Sequence, residues 1–97
     1  MYGTIARVKC KPGKVEEFRR FEERTAQENP PAGLVFVHMY QLDDAPDELM
    51  LVVGFTDREA YVANANSPQQ QQEYETYRTF LAAEPEWHDG EIIQSLP

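Results

Sequence analysis

The histidine at position 38 is the side chain of this sequence best suited to exchanging a proton near neutral pH. It lies in the middle of the run 34–42, where Phe36 and Tyr40 occupy alternate positions on the same side. A free histidine titrates at about pH 6.5, so it can act as a base under physiological conditions. We therefore identify His38 as a candidate catalytic base. The alternative is a histidine that is hydrogen-bonded within the core or at an interface.

A set of aromatic and polar side chains could line a pocket for a flat ligand, because tyrosine and tryptophan combine apolar area with a polar group. We group Asn64 with His38 as a second candidate catalytic residue. The candidate substrate contacts are Phe36, Tyr40, Tyr61, Asn66, Tyr74, Tyr77, Arg78 and Trp87. The structural alternatives are that Tyr74 and Tyr77 belong to the core side of a helix and that the two asparagines cap helices.

The elements that must position these side chains surround one apolar run. Residues 49–55, Leu-Met-Leu-Val-Val-Gly-Phe, include no polar side chain. Because a strand turns alternate side chains to opposite faces, this run predicts a strand that is covered on both faces. The chain has only two helical regions, which can cover one face of a small sheet. We expect a second copy of the chain to cover the other face, as a homodimer.

A change of spacing predicts the first strand and the first helix. Residues 2–10 alternate between two faces, as in a strand. From residue 15 the apolar positions follow a helical spacing instead. The residues on that apolar side are Val15, Phe18, Phe21 and Thr25. The charged residues of the same segment, Glu22 among them, are expected to form the solvent face of the helix.

The next two strands are expected to form a hairpin. Pro30 and Pro31 end the first helix, because proline lacks a backbone N–H. A strand is predicted at 34–42, and the polar segment 43–48 has the length of a hairpin loop before the strand at 49–55. The two strands are therefore expected to be antiparallel neighbours.

Two helix starts follow the apolar strand. Thr56 and Glu59 have the spacing of a capping box, in which each side chain satisfies a free backbone N–H, and this predicts a helix at 57–65. Ser67 precedes a proline and is expected to cap a longer helix at 68–83. The second helical region is thus split in two.

A strand of weaker pattern at 86–96 ends the chain. The element order is strand, helix, strand, strand, split helix, strand. This order predicts an α+β, ferredoxin-like βαββαβ fold with a four-stranded antiparallel sheet, in which both helical layers lie on the same side. A length of 97 residues predicts a single domain, 1–97.

The composition argues against several classes of partner. Seventeen acidic residues against nine basic ones give a net charge of −8, whereas nucleic acid and anionic membranes require clustered lysine and arginine. No apolar run approaches the roughly 20 residues needed to cross a bilayer. The single cysteine, Cys10, forms no internal disulfide, and no signal peptide is recognised at the N-terminus, so we expect a cytoplasmic protein.

Four segments of the sequence resemble one protein family. They are Val53-Gly54-Phe55, Glu59-Ala60-Tyr61, Ala65-Asn66-Ser67-Pro68 and Pro85-Glu86-Trp87-His88-Asp89-Gly90. Together they resemble the antibiotic biosynthesis monooxygenase family, which consists of small dimeric α+β barrel proteins. The resemblance implies a homodimer, a ligand pocket between the sheet and the helices of each protomer, and chemistry that uses neither flavin nor metal.

Such chemistry sets its own requirements. Dioxygen reacts poorly with closed-shell organic molecules, so an oxygenase without a cofactor needs a substrate anion, which a base forms in a dry pocket. His38 is the expected base, and the expected substrate is a small phenolic, quinol or polyketide-like aromatic compound. No cluster of metal ligands and no glycine-rich phosphate loop is present, so no cofactor and no metal are expected.

Two other functions are weighed against this one. Haem-degrading relatives use an iron-binding histidine in the pocket, and the predicted helix at 68–83 contains no histidine, so haem degradation is set aside. The second alternative is a non-catalytic homodimer that binds a small hydrophobic ligand or serves as an accessory protein. An enclosed pocket with His38 or an asparagine at its wall would favour the enzyme, and a fully packed interior would favour the alternative.

Overall fold

The chain forms four strands and three helices in the computed structural model, which describes all 97 residues. The strands are β1 (Tyr2–Lys9), β2 (Leu34–Leu42), β3 (Ala45–Phe55) and β4 (Glu86–Glu91). The helices are α1 (Val15–Glu28), α2 (Arg58–Ala65) and α3 (Pro68–Thr79). The strands pair antiparallel in the order β2-β3-β1-β4, so the predicted ferredoxin-like α+β fold is confirmed.

One face of the sheet carries the core. Ala6 of β1 stands opposite Leu51 of β3, and both are buried. Val8 and Leu49 form the next such pair, and the helices pack over this face. The core cluster consists of Ala6, Val8, Cys10, Phe18, Phe21, Leu49, Leu51, Tyr77 and Leu81. None of the three helices combines the length and the apolar character that crossing a membrane requires.

The opposite face of the sheet, which we call the open face, has no helix over it. Its residues on the three strands β1, β2 and β3 include Ile5, Phe36, His38, Tyr40, Met50 and Val52. Ile5 is 47% exposed and Tyr40 is 60% exposed in the single chain. Phe36 lies directly over Gly54, where a Cβ atom would come within 2.4 Å of the phenylalanine ring. Only glycine therefore allows this packing.

The ends of three elements differ from the prediction. The loop between β2 and β3 is the two-residue turn 43–44, because β3 begins at Ala45 and not at residue 49. Helix α3 ends at Thr79 because the chain then turns to pair with the end of β1, where Ala82 N donates to Lys9 O at 2.8 Å. β4 ends at Glu91 because β1 begins at Tyr2 and offers no partner strand further on.

A β-bulge at the start of β2 separates residues that alternation alone assigns to one face. Leu34 stands opposite Phe55, whereas Phe36 stands opposite the adjacent Gly54, so the register shifts by one residue between them. One extra residue in a strand makes the side chains before it point to the other face of the sheet. Leu34 therefore lies on the helix side and Phe36 on the open face. Alternation along the run 34–42 predicts that Leu34 shares a face with His38, and the bulge shows this prediction to be wrong.

The two later helices begin with side-chain caps, of which one is the predicted cap. Ser67 Oγ accepts a hydrogen bond from Gln70 N at 3.1 Å, as expected. For α2 the cap is Asp57, whose Oδ1 accepts from Ala60 N at 2.8 Å, and the predicted cap Thr56 is therefore wrong. Glu59, the predicted capping-box partner of Thr56, therefore takes no part in the cap that Asp57 and Ala60 form.

This assignment predicts unequal effects for two neighbouring alanine substitutions. Asp57→Ala should lower the free energy of unfolding by about 1 kcal/mol, because it removes the side chain that satisfies a backbone N–H of α2. Thr56→Ala, the matched control, should change it by less than about 0.5 kcal/mol. Urea denaturation of the three proteins measures both values. A larger loss for Thr56→Ala would contradict the assignment of the cap.

Candidate functional site

A cavity of about 460 Å³ lies between the helices and the covered face of the sheet. Every strand and every helix contributes to its wall, from Thr4 of β1 to Asp89 of β4. Its volume lies within the range of about 300 to 1,000 Å³ that is typical of pockets for small molecules. The elements that build the core therefore leave a space that a ligand of one or a few rings can fill.

Three aromatic side chains form one wall of this cavity. Tyr74 and Tyr77 follow each other at one-turn spacing on α3, and their ring centroids are 5.6 Å apart. Trp87 reaches the same wall from β4, where it stands opposite Ala6. The rings of Tyr77 and Trp87 are nearly parallel, at 29°, with centroids 6.4 Å apart. Flat, polarisable surfaces of this kind suit a planar aromatic ligand.

Tyr61 of α2 brings a hydroxyl group whose protonation is fixed. It donates a hydrogen bond to Asp89 Oδ1 at 2.7 Å, and its ring packs edge-on against Phe55 with a centroid distance of 5.6 Å. Burial, and then the carboxylate of Asp89, raise the pKa of Tyr61 to about 12. The hydroxyl therefore keeps its proton at physiological pH, and Tyr61 can orient a neighbour but cannot serve as a base.

Other polar groups on the wall have no partner inside the protein. The hydroxyls of Thr4 and Tyr77 are buried without a hydrogen bond, and burial raises the pKa of Tyr77, so its hydroxyl stays protonated. Asn64 is held in place through its backbone carbonyl, which accepts from Ser67 Oγ at 2.9 Å. Its side-chain amide takes part in no hydrogen bond of the protein. Buried polar groups are usually satisfied, so the two hydroxyls are exceptions. The half-buried Asn64 amide is the group among these that a ligand in the cavity can reach.

Glu22 of α1 also lines the cavity, which corrects its expected position on the solvent face. Residue 22 follows the buried Phe18 by four residues, and residues four apart lie on the same side of a helix. Its position thus continues the apolar side through Val15 and Phe18 towards Thr25. This spacing is visible in the sequence, but the surrounding charged residues conceal it.

The environment of Glu22 differs from that of the other glutamates of α1. Burial, and then the charge of Glu73 on α3, raise the pKa of Glu22 to about 7. Glu16, on the outer side, has its pKa lowered to about 2 by hydrogen bonds from Arg19 and Arg20. No arginine or lysine pairs with Glu22. Desolvation disfavours the charged carboxylate, and a like charge nearby adds to the effect.

Three of the predicted site residues lie away from the cavity, on the open face. His38 stands opposite Val52 of β3, whose side chain points to the open face. The neighbours of Val52 in β3, Leu51 and Val53, line the cavity. Phe36 stacks on His38 with centroids 4.8 Å apart, and Tyr40 lies further along the same face. The expected place for His38 in the pocket wall is therefore corrected by the pairing register.

Two further predicted contacts are also outside the cavity. Arg78 pairs with Glu84 at 2.7 Å on the surface, where its side chain is 57% exposed. Asn66 follows α2, and its backbone N–H donates to Val62 O at 3.1 Å. The cavity brings together half of the ten predicted site residues. These are Tyr61, Asn64, Tyr74, Tyr77 and Trp87.

The charged side chains on the cavity wall are all acidic. Glu22, Glu73 and Asp89 line it, and no lysine, arginine or histidine does. A wall of this kind favours neutral or positively charged ligands over anions. No group of three or more histidine, cysteine, aspartate or glutamate side chains is arranged to hold a metal ion.

Comparisons with known proteins agree with the fold described above. The sequence model of a family described as antibiotic biosynthesis monooxygenase matches residues 1–76. The structure is similar to that of SnoaB, described as a cofactor-independent oxygenase from Streptomyces nogalater, with a TM-score of 0.82 and 18% identity over 99% of this chain and 96% of that one. No curated protein matches the sequence significantly.

Two further solved structures show the same fold. Rv0793 from Mycobacterium tuberculosis is similar with a TM-score of 0.78 and 16% identity, covering 99% of this chain and 98% of that one. A conserved protein from Methanosarcina mazei Go1 is similar with a TM-score of 0.78 and 20% identity, covering 92% and 89%. At these identities the likeness concerns the fold and does not extend to the reaction.

Proposed function

Because this chain belongs to the antibiotic biosynthesis monooxygenase family, as its motifs indicate, we propose that it is a cofactor-independent monooxygenase. The proposed substrate is a small phenolic, quinol or polyketide-like aromatic compound. The proposal extends to a cytoplasmic homodimer with one cavity in each protomer. SnoaB, which shares the fold, is described as a cofactor-independent oxygenase, and this description supports the proposal without assigning the reaction.

The observation that carries the proposal is the cavity itself. It combines a flat aromatic wall, formed by Tyr74, Tyr77 and Trp87, with an uncommitted amide at Asn64. The wall can hold an aromatic ring system in one plane, and the amide can donate a hydrogen bond to a substrate oxygen. Donors of this kind would stabilise the negative charge that the substrate must carry when it reacts with dioxygen.

The proposed reaction needs no reactant beyond substrate and dioxygen. For an anthrone-type substrate, a CH₂ group and O₂ give a carbonyl group and water. The cavity would orient the substrate and exclude bulk water. Both effects raise the rate of the chemical step. Tyr61, fixed to Asp89, would keep one side of the wall rigid.

A homodimer is part of the same proposal. The open face exposes Ile5 and Tyr40, together with half-buried Met50 and Val52. An apolar sheet face without cover promotes association, and a two-fold axis lets two copies cover each other. The helices already occupy the other face, so the open face is the surface on which a second copy would pack.

We expect oxygen uptake with at least one member of a panel of hydroquinone, naphthoquinol and anthrone. Asn64→Ala should lower kcat/KM about tenfold, the worth of one hydrogen bond to the ligand. Asn66→Ala is the matched control, because Asn66 lies two residues away and outside the cavity. The kcat/KM of this variant should equal that of the unmodified protein. An oxygen electrode measures all three proteins, with circular dichroism recording the folded fraction.

The possible outcomes separate the alternatives. Equal rates for the two asparagine variants would remove Asn64 from the site. A loss of turnover per folded protein in His38→Ala would instead assign a role to the open face. Binding of the aromatic compounds without any oxygen uptake would contradict the enzyme and favour the non-catalytic, ligand-binding dimer.

A further inference from the structure

Two carboxyl groups on neighbouring helices face the same cavity. Glu22 belongs to α1 and Glu73 to α3, and both line the cavity wall. They lie close enough for the charge of Glu73 to act on Glu22. Two carboxylates that share a low-dielectric site ionise with difficulty at the same time, so one of them tends to retain a proton.

The surroundings indicate which carboxyl group holds the proton. Glu73 Oε1 accepts a hydrogen bond from Gln69 Nε2 at 3.1 Å. Glu22 has no side-chain hydrogen bond and no ion pair, although Arg19 and Arg20 of the same helix each pair with another glutamate, as does Lys14 just before it. Glu22 is therefore the member of the pair that takes up and releases a proton.

The groups that face Glu22 from the packed elements are acidic or neutral. Glu73, Tyr74 and Tyr77 of α3 line the same cavity, and Cys10, which follows β1, lies beyond Tyr77. No cation among the cavity residues compensates its charge. Tyr77 and Cys10 both have raised pKa values through burial, so they stay neutral. The proton equilibrium of Glu22 thus depends on burial and on Glu73.

We propose that Glu22 is the base that accepts the proton of the substrate hydroxyl, and that Glu73 is a positioning residue that keeps Glu22 basic enough to do so. This inference rests on the proposed function, since it assigns a step of that reaction. It also names the substrate class more narrowly. The ligand must be a neutral aromatic compound with an acidic hydroxyl, and an otherwise identical compound that carries a carboxylate should be excluded by the acidic wall.

The proton transfer is balanced in atoms and charge. The O–H bond of the phenol, or of the enol form of an anthrone, breaks, and a new O–H bond forms on Glu22. The electron pair stays on the substrate oxygen. Negative charge thus moves from Glu22 to the substrate, and the total charge of the cavity does not change. For an anthrone, the carbon of the substrate anion then bonds to O₂ to give a peroxide, which takes the proton held by Glu22. The O–O bond breaks as the same carbon loses its remaining C–H proton to form the carbonyl group, and the outer oxygen leaves with these two protons as water.

The protonation behaviour of Glu22 supports this role. A base is most effective when its pKa lies near the working pH, and the pKa of Glu22 is raised to about 7. Because the base must be ionised to accept a proton, kcat/KM should rise as the pH increases through about 7. Removing the charge of Glu73 should lower the pKa of Glu22, and the rise should then occur at lower pH.

The test compares three isosteric variants on naphthoquinol and anthrone over a range of pH. Glu22→Gln should lower kcat by about 10² to 10⁴, and the rise near pH 7 should vanish. Glu73→Gln should keep most of the rate at high pH and move the rise to lower pH. Glu23→Gln is the matched control, because Glu23 lies on the outer side of α1 in an ion pair with Arg19, and its profile should equal that of the unmodified protein.

Two measurements that need no turnover accompany the kinetics. The side-chain carboxyl of Glu22, followed by carbon NMR, should titrate near neutral pH in the unmodified protein. Glu22→Gln should also resist urea better than the unmodified protein at pH 8, because it no longer buries an ionised carboxyl group. A merely structural role for Glu22 would predict the opposite change in stability.

Each outcome bears on one of the two proposals. An unmodified protein that oxidises no member of the panel overturns the proposed function, and the role of Glu22 as a base falls with it. An active protein in which Glu22→Gln retains both the rate and the rise near pH 7 overturns the role of Glu22 alone. A Glu22 carboxyl that titrates near pH 4 overturns it as well, whatever the rates are.

Discussion

Leu51→Asp is expected to prevent the chain from folding. Leu51 is 3% exposed, and it stands between Ala6 of β1 and Met39 of β2 on the covered face of the sheet. No basic side chain lines that side of the cavity, so the new carboxylate would be buried without a partner. Burial of an unpaired charge costs several kcal/mol, which is on the scale of the roughly 5 to 15 kcal/mol that stabilise a whole domain.

Circular dichroism and urea denaturation test this prediction directly. Leu51→Met is the matched control, since it conserves volume and apolar character, and it should cost less than about 1.5 kcal/mol. The expected contrast is a cooperative transition for the methionine variant and none for the aspartate variant. A folded aspartate variant of near-native stability would mean that the helices do not seal this face.

The periodic patterns of the sequence predict the sheet because the alternation of β1 is almost undisturbed. Thr4, Ala6 and Val8 are buried, and Ile5 and Arg7 between them are exposed, as a period of two requires. The ends of the elements depend instead on partners that are distant in sequence. Helix α3 ends at Thr79, shortly before residue 81 forms a bridge with Cys10, which follows β1, and no local sequence pattern encodes this contact.

The expected position of three site residues in the pocket wall is wrong for a related reason. Alternation correctly groups Phe36, His38 and Tyr40 on one side of β2, but it does not say which side the helices cover. The register with β3 decides that question, and it assigns these residues to the open face. Their chemistry suggested a catalytic site, whereas their position is that of an exposed apolar surface on the single chain.

Glu22 illustrates the opposite error. It belongs to a run of charged residues, and such runs are usually solvated, so residue type outweighed spacing in the prediction. A spacing of four from Phe18 is the signal that could have identified it, because a charge that occupies an apolar helical position has to be explained by a function or by a partner. The structure supplies no cationic partner for it.

Val52→Asp is expected to leave the fold intact and to separate the proposed homodimer. Val52 is adjacent to Leu51 in β3, but alternate side chains point to opposite faces, so the two substitutions place the same charge on opposite sides of one strand. On the open face Val52 stands between His38 and Ile5. In a single chain the new carboxylate would reach water, and folding should proceed.

In a dimer that packs the two open faces together, the same carboxylate would be buried in both copies. A cost of at least about 4 kcal/mol corresponds to a rise of about 10³ in Kd. Sedimentation at low micromolar concentration should give twice the chain mass for the unmodified protein and the single chain mass for Val52→Asp.

Thr56→Asp is the control for this charge, because Thr56 is exposed and follows the end of β3, and this variant should remain dimeric. A dimer with unchanged Kd in Val52→Asp would show that the open face is not the interface. A single-chain mass for the unmodified protein would contradict the homodimer itself. Loss of folding in Val52→Asp would carry a different meaning. It would indicate that folding itself requires the open face to be covered. A solvated aspartate on a central strand costs only about 1 kcal/mol in strand preference, which is too little to unfold the chain.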